Sequence, residues 1–256
     1  MRPCGAKQNP YYEVPITWNG MWGLDRNVGA SYPGSMLAGA PIFDQVGPSC
    51  VGEATAQCLN AIARMRWGTP RVYSPLSIYY FSRVEEAKEF QLDSKQRLPD
   101  DGTYPFCAMR ALEKHGVCVE SSWPHSQGPK PPGWAAIAES ERARHVRSYS
   151  IRVEGDVTIE ALELALYNYC PVAITIPVTL EFQQYQGSKA WHASDLSHGV
   201  VGYHRVPILG IRAEDNAFII RNSWKGQGDE NQNCYLDRDL FYTDIPQDVE
   251  AFVEGP

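Results

Sequence analysis

Among the seven cysteines of this 256-residue chain, Cys50 is the one placed to act as a nucleophile. Val51, Ala54, Cys58, Ile62 and Met65 recur at spacings of three and four, the stripe of a helix packed on a core, and Cys50 stands at its N-terminus. A thiol there faces unsatisfied backbone N–H groups and the positive end of the helix dipole, both of which favour thiolate. A lone cysteine opening a helix is more often a small buried hydrophobe, so the position gains weight only from partners. His198 follows 148 residues later and Asn222 another 24 after that, each at the edge of an expected strand. An imidazole can take the thiol proton and later give it to a leaving amine, while a side-chain amide on the other ring nitrogen fixes the tautomer without adding charge.

Six histidines compete for that role. His204 would share a face with His198 on one strand, yet six residues at about 3.3 Å each separate them by roughly 20 Å, so only one can meet Cys50. His198 is preferred because it opens the apolar run, whereas His192 falls on an expected loop and His115 at a helix C-terminus. Cys58, Cys107, Cys118 and Cys170 read as core thiols. Tyr79-Tyr80-Phe81 reads as packing between helix and sheet. Asp229-Glu230 reads as a solvated acidic pair, with calcium binding an open alternative.

These residues need elements to position them. A helix is expected over 50–65, and a second over 105–115, with Pro105 at its first position and Gly116 just past its end. A third covers 158–167, with a threonine cap and Glu160 in its first turn. From there the period changes, and short β-branched or apolar runs at 172–176, 198–203, 206–211 and 217–221 predict a twisted, mainly antiparallel sheet or barrel. Residues 127–134, rich in proline and glycine, read as a linker. Residues 1–43 read as an irregular arm with a short strand near 12–17. The fold class is α+β, with a helical half over 44–126 and a sheet half over 135–256.

Composition narrows the function. The net charge of −7, without a long Lys/Arg run, argues against a nucleic-acid binder or a binder of anionic membranes. No apolar run reaches bilayer length and the first ten residues lack a secretory signal, so a cytoplasmic or otherwise intracellular protein is expected. The cysteines are odd in number and form no CxxC pair, which argues against a zinc site and for reduced thiols; no cofactor is expected, and no metal ligand is assigned.

Four blocks, in order, resemble the papain-like cysteine peptidases: Asp44-Gln45-Val46-Gly47-Pro48-Ser49-Cys50-Val51-Gly52; Gly102-Thr103-Tyr104-Pro105-Phe106 through Gly116 to Ser122-Trp123-Pro124; Ser197-His198-Gly199-Val200-Val201-Gly202-Tyr203; and Arg221-Asn222-Ser223-Trp224. The resemblance implies a papain-like fold with the active site in a cleft between helical and sheet halves. It also implies a polypeptide substrate hydrolysed through a thiol acyl-enzyme. Gln45 would serve beside the Cys50 backbone N–H as oxyanion donor. Trp224 would shield the His198–Asn222 bond from water, and Gly102 and Thr103 would bind extended substrate as an added strand. Tyr104, Pro105, Thr175 and Gly199 would wall the main specificity pocket and favour apolar side chains.

The chain departs from the family pattern in several places. The loop from Gln45 to Cys50 is one residue shorter, and Pro48 stands where glycine is common. The family's disulfide cysteines are missing. Lys225-Gly226-Gln227-Gly228 replaces the second tryptophan–glycine repeat, and 49 residues precede the nucleophile. Two alternatives stay open: a catalytically silent module that keeps the fold, and a Cys–His amidase acting on isopeptide or cell-wall amides.

Overall fold

The computed structural model describes residues 4–7, 36, 41–67, 71–92, 100–128, 146–150, 156–168, 170–187, 189–212, 214–243 and 247–254. Helix α1, Cys50–Trp67, is the centre of the molecule, because residues 50–63 are buried on every side and not only along the apolar stripe. Its polar residues are buried with it. Asn60 Oδ1, for example, accepts the Tyr73 N–H at 2.8 Å.

Helix α2, Pro75–Glu89, was not expected from sequence, yet its start is locally signalled: Pro75 occupies the first turn, and the capping Ser74 Oγ accepts the Ser77 N–H at 3.3 Å. Helix α3, Pro105–His115, has the expected bounds and ends at Gly116 with φ +74°. Helices α2 and α3 pack on each other and both contact α1.

The sheet has six strands: β1 Val146–Ser150, β2 Val172–Val178, β3 Gly202–Arg212, β4 Ala217–Arg221, β5 Asn233–Leu236 and β6 Gln247–Glu254, in the order β1-β6-β2-β3-β4-β5 with every pairing antiparallel. Strand β2 is buried on both faces. Its Ala173 joins Phe252 against Ala54, Cys58 and Ile62 of α1, while Val172, Ile174 and Ile176 share a core with Ile159, Leu162 and Leu166 of helix α4, Asp156–Tyr167. One face of the sheet thus carries α1 and the other α4, which is the α+β arrangement expected.

One expected strand is absent from its place. Residues 193–198 form a 3-10 helix, Ala193–His198, Gly199 follows at φ +88°, and Val200 and Val201 are 47% and 41% exposed. That valine pair does not enter the core, and pairing with β2 begins only at Gly202, opposite Val178. From Gly202 the strand runs unbroken to Arg212, merging two expected strands into one. The strand expected near 12–17, and the linker beyond Gly128, lie outside the described residues. No described helix is long and apolar enough to cross a membrane.

Candidate active site

Three elements converge on the start of α1. The loop before it is tied to the helix by Ser49, whose Oγ donates to Glu53 Oε1 at 3.0 Å, and by His125 Nε2, 2.8 Å from the same oxygen. The loop's other end is tied to the turn after β4, where Gln45 N–H donates to Ser223 O at 2.7 Å and Ser223 Oγ to Gln45 Oε1 at 2.8 Å. Strand β3 crosses α1, and the backbone N–H of Arg205 points at the Cys50 sulfur.

The residue before Arg205 is His204. Its Nε2 lies 2.8 Å from Asn222 Oδ1, and both side chains are fully buried. The Trp224 ring stacks on the imidazole at 4.1 Å between centroids, 22° from parallel, and seals that bond from water. His204 Nδ1 is buried and has no hydrogen-bond partner among the described residues. The imidazole that Asn222 holds is therefore His204, and the expectation placed on His198 is corrected. His198 ends the 3-10 helix, outside β3, whereas the β3–β4 hairpin, counted back from Arg212 opposite Ala217, brings His204 level with the turn that carries Asn222 to Trp224.

The chain itself covers this site. Residues 5–7 lie along Thr103 as a short parallel bridge: Thr103 N–H donates to Gly5 O at 2.9 Å, and Lys7 N–H to Thr103 O at 3.1 Å. Lys7 Nζ reaches Glu86 Oε1 at 2.5 Å and Asp101 Oδ1 at 3.1 Å. Gly5 passes so close to the nucleophile loop that a Cβ on it would stand 1.9 Å from Pro48 O, and its N–H also points at the Cys50 sulfur. Burial pushes the Cys50 thiol up to about 11, against the pull of the Arg205 and Gly5 N–H groups. It likewise pushes the His204 imidazole down to about 4, against its bond to Asn222. Burial thus disfavours the charged form of both groups.

The remaining expected residues divide. Gln45 sits at the site, its amide oxygen held by Ser223 and its Nε2 donating to Gly47 O at 2.8 Å. Gly102, Thr103 and Tyr104 line the path of residues 5–7, and Pro105 opens α3 just after them. Thr175 is buried on β2 with its Oγ1 accepting from Arg205 Nη1 at 3.1 Å. Gly199 is exposed, and a Cβ there would meet nothing within 4 Å. The residue beside the bonded histidine is Arg205, whose buried guanidinium also donates to Asp248 O at 2.9 Å and Glu250 Oε2 at 2.5 Å. Sequence reasoning also passed over Ser223 and Gln227. The hairpin register was its missing signal for His204: the turn at 214–216 fixes which β3 residue stands beside Asn222. None of the seven cysteines forms a disulfide. Among the described residues, His192, Asp237 and Asp239 could together hold a metal ion, and His192 Nδ1 already pairs with Asp237 Oδ2 at 3.2 Å.

The sequence pattern of the papain family cysteine proteases matches residues 94–248, more than half of the chain, a span that contains His204, Asn222 and Trp224 and begins downstream of Cys50. An uncharacterized peptidase C1-like protein of Acanthamoeba polyphaga mimivirus is 27% identical over 187 residues, and the chain spans 57% of that relative's length for 69% of its own. Xylellain, a cysteine protease from Xylella fastidiosa, superposes with a TM-score of 0.63 at 19% identity, over 87% of this chain and 90% of that one. Procathepsin B of Trypanosoma congolense does so with a TM-score of 0.65 at 14% identity, over 100% of this chain and 87% of that one. With the fold shared by these structures and the pattern matched over most of the sheet half, the chain belongs to the papain family of cysteine proteases.

Proposed function

We propose that the chain hydrolyses peptide bonds with Cys50 as nucleophile, His204 as its acid–base partner and Asn222 as the group that orients the histidine. One observation carries this reading: Nε2 of a buried imidazole is committed to Asn222 at 2.8 Å while Nδ1 has no partner among the described residues. Nδ1 takes the thiol proton, and the thiolate attacks the scissile carbonyl carbon. The backbone N–H of Cys50 and Nε2 of Gln45 hold the oxyanion, and His204 then gives the proton to the leaving amine. Water hydrolyses the thioester with Nδ1 again as base. An extended peptide would take the Thr103 main chain that residues 5–7 now occupy, with Tyr104, Pro105 and Thr175 beside it and Trp224 keeping water from the histidine.

The covered cleft favours a second reading, a silent module, because Cys50 has no exposed surface. Gly5→Leu in the full-length chain separates the two, since a side chain at that position collides with Pro48 O. Hydrolysis of a peptide library is expected to rise by about tenfold or more over the wild type, as the competent state is no longer masked. It should vanish again in the Gly5→Leu/Cys50→Ser double variant. No hydrolysis by Gly5→Leu would leave the silent module standing.

A further inference from the structure

We propose that Gln227 is a positioning residue that fixes the tautomer of His204 through Asn222; the inference rests on the peptidase reading. It begins where the chain abandons the family's second tryptophan–glycine repeat. The loop 225–228 turns Gln227 inward: its N–H donates to Trp224 O at 3.1 Å, and Gly228, at φ +82°, packs so tightly that a Cβ would stand 2.4 Å from Asn233 O. The Gln227 side chain is fully buried.

The polarity of each group in the row follows from the one before it. Phe182 O is a backbone carbonyl and can only accept, so the Gln227 amide must present Nε2 to it. Gln227 Oε1 then faces Asn222 and can only accept, so Asn222 must present Nδ2. Asn222 Oδ1 is thereby turned the other way, where it accepts the Ser223 N–H at 2.7 Å, a backbone donor that agrees with the same orientation. The same oxygen lies 2.8 Å from His204 Nε2, which must carry the proton. Nδ1 is left as the bare lone pair. A backbone carbonyl on one side and a backbone N–H on the other thus select the tautomer that can deprotonate a thiol. Reversing the Gln227 amide would set oxygen against oxygen at Phe182 and donor against donor at Asn222, each a buried polar mismatch. Among the described residues the remaining N–H of Asn222 reaches only Cys234 Sγ, at 3.9 Å, a weak acceptor that could not hold the amide alone.

The test reads Cys50 alkylation by iodoacetamide against pH in full-length Gly5→Leu protein, with label mapped by mass spectrometry. Adding Gln227→Met should slow alkylation at pH 6 by about tenfold, the rate equivalent of one buried hydrogen bond, and leave the rate at pH 10, where the thiolate forms unaided, unchanged. In an Asn222→Ala background Gln227→Met should have no further effect, because its action passes through Asn222. Gln227→Glu, which when protonated presents the same donor and acceptor, should stay within about threefold of the reference at pH 6; this variant decides the matter if Gln227→Met does not fold. Equal rates at pH 6, additivity with Asn222→Ala, or failure of the glutamate to rescue would each overturn the proposal. A reference protein whose Cys50 is no more reactive at pH 6 than its other thiols would instead overturn the peptidase reading itself.

Discussion

The two nitrogens of His204 live in different surroundings, one bonded to Asn222 under the Trp224 ring and one without a partner among the described residues. In a water-excluded site that bond is stronger than it would be at the surface, so the ring cannot easily turn. In the Gly5→Leu protein, His204→Ala should lower kcat/KM by about 10⁴-fold, as loss of a base does in comparable triads. Asn222→Ala, which removes orientation but no proton acceptor, should leave a measurable remnant, and His198→Ala should stay within about threefold of the parent. Activity that survives His204→Ala but not His198→Ala would reverse the assignment. The proposed roles of Cys50 and Asn222 were legible in the sequence because their signals are local, a helix stripe and an asparagine–serine–tryptophan turn. The histidine was not, because two candidates six residues apart are told apart only by which one the hairpin register brings to Asn222. Gln227 was still less legible, since its anchor at Phe182 lies 45 residues away.

Strand β3 delivers His204, and Arg205 holds that strand in place: its guanidinium bonds Thr175 Oγ1 on β2, and Asp248 O and Glu250 Oε2 on β6. Burial pushes Glu250 up to about 7 in spite of Arg205, so the pair locates the strand more than it stabilises the fold. Removing one partner is different from removing both, because it leaves a buried carboxylate alone. Arg205→Leu should cost about 3 kcal/mol near neutral pH, measured as a fall in the urea midpoint. The sign with pH follows from a folded-state pKa above the unfolded value of 4.5: the folded chain binds the extra proton, so Glu250's contribution is intact below the unfolded pKa and is lost as pH rises through the folded one. The cost of Arg205→Leu should therefore grow from pH 5 to pH 8, and a flat profile would show that Glu250 is not the group left uncompensated. At this scale α1, α3, α4, β2 and β4 could be read from periodicity, caps and β-branched runs. Strands β1, β5 and β6 could not, being short or mixed in polarity and stabilised by partners distant in sequence. The start of β3 was misread because Val200 and Val201 look like core and are exposed.

Across the whole molecule, access to the site is a question of how firmly residues 5–7 hold to Thr103. The backbone part of that grip, two hydrogen bonds to one residue, would be replaced on release by bonds to water or to substrate, so it discriminates weakly between closed and open cleft. The side-chain part is more selective. Lys7 Nζ meets Glu86 at 2.5 Å, where the carboxylate is only 8% exposed, and Asp101 at 3.1 Å, where it is 59% exposed and screened by solvent. Glu86 therefore supplies most of the charge attraction, and its loss on opening leaves a nearly buried carboxylate to be rehydrated. Lys7→Ala in the otherwise native chain should raise the rate of Cys50 alkylation at pH 8 by about fivefold, the equivalent of roughly 1 kcal/mol of partly buried ion pairing. Lys7→Arg, which keeps the charge, should leave it nearly unchanged. Raising salt from about 0.05 to 0.5 M should speed the native chain, because screening weakens the partly exposed contact, and should hardly affect Lys7→Ala. If Lys7→Ala is no faster than the native chain and salt moves neither, the segment is held by its backbone and by the fit of Gly5 beneath Pro48, and the cleft opens by a route in which Lys7 takes no part.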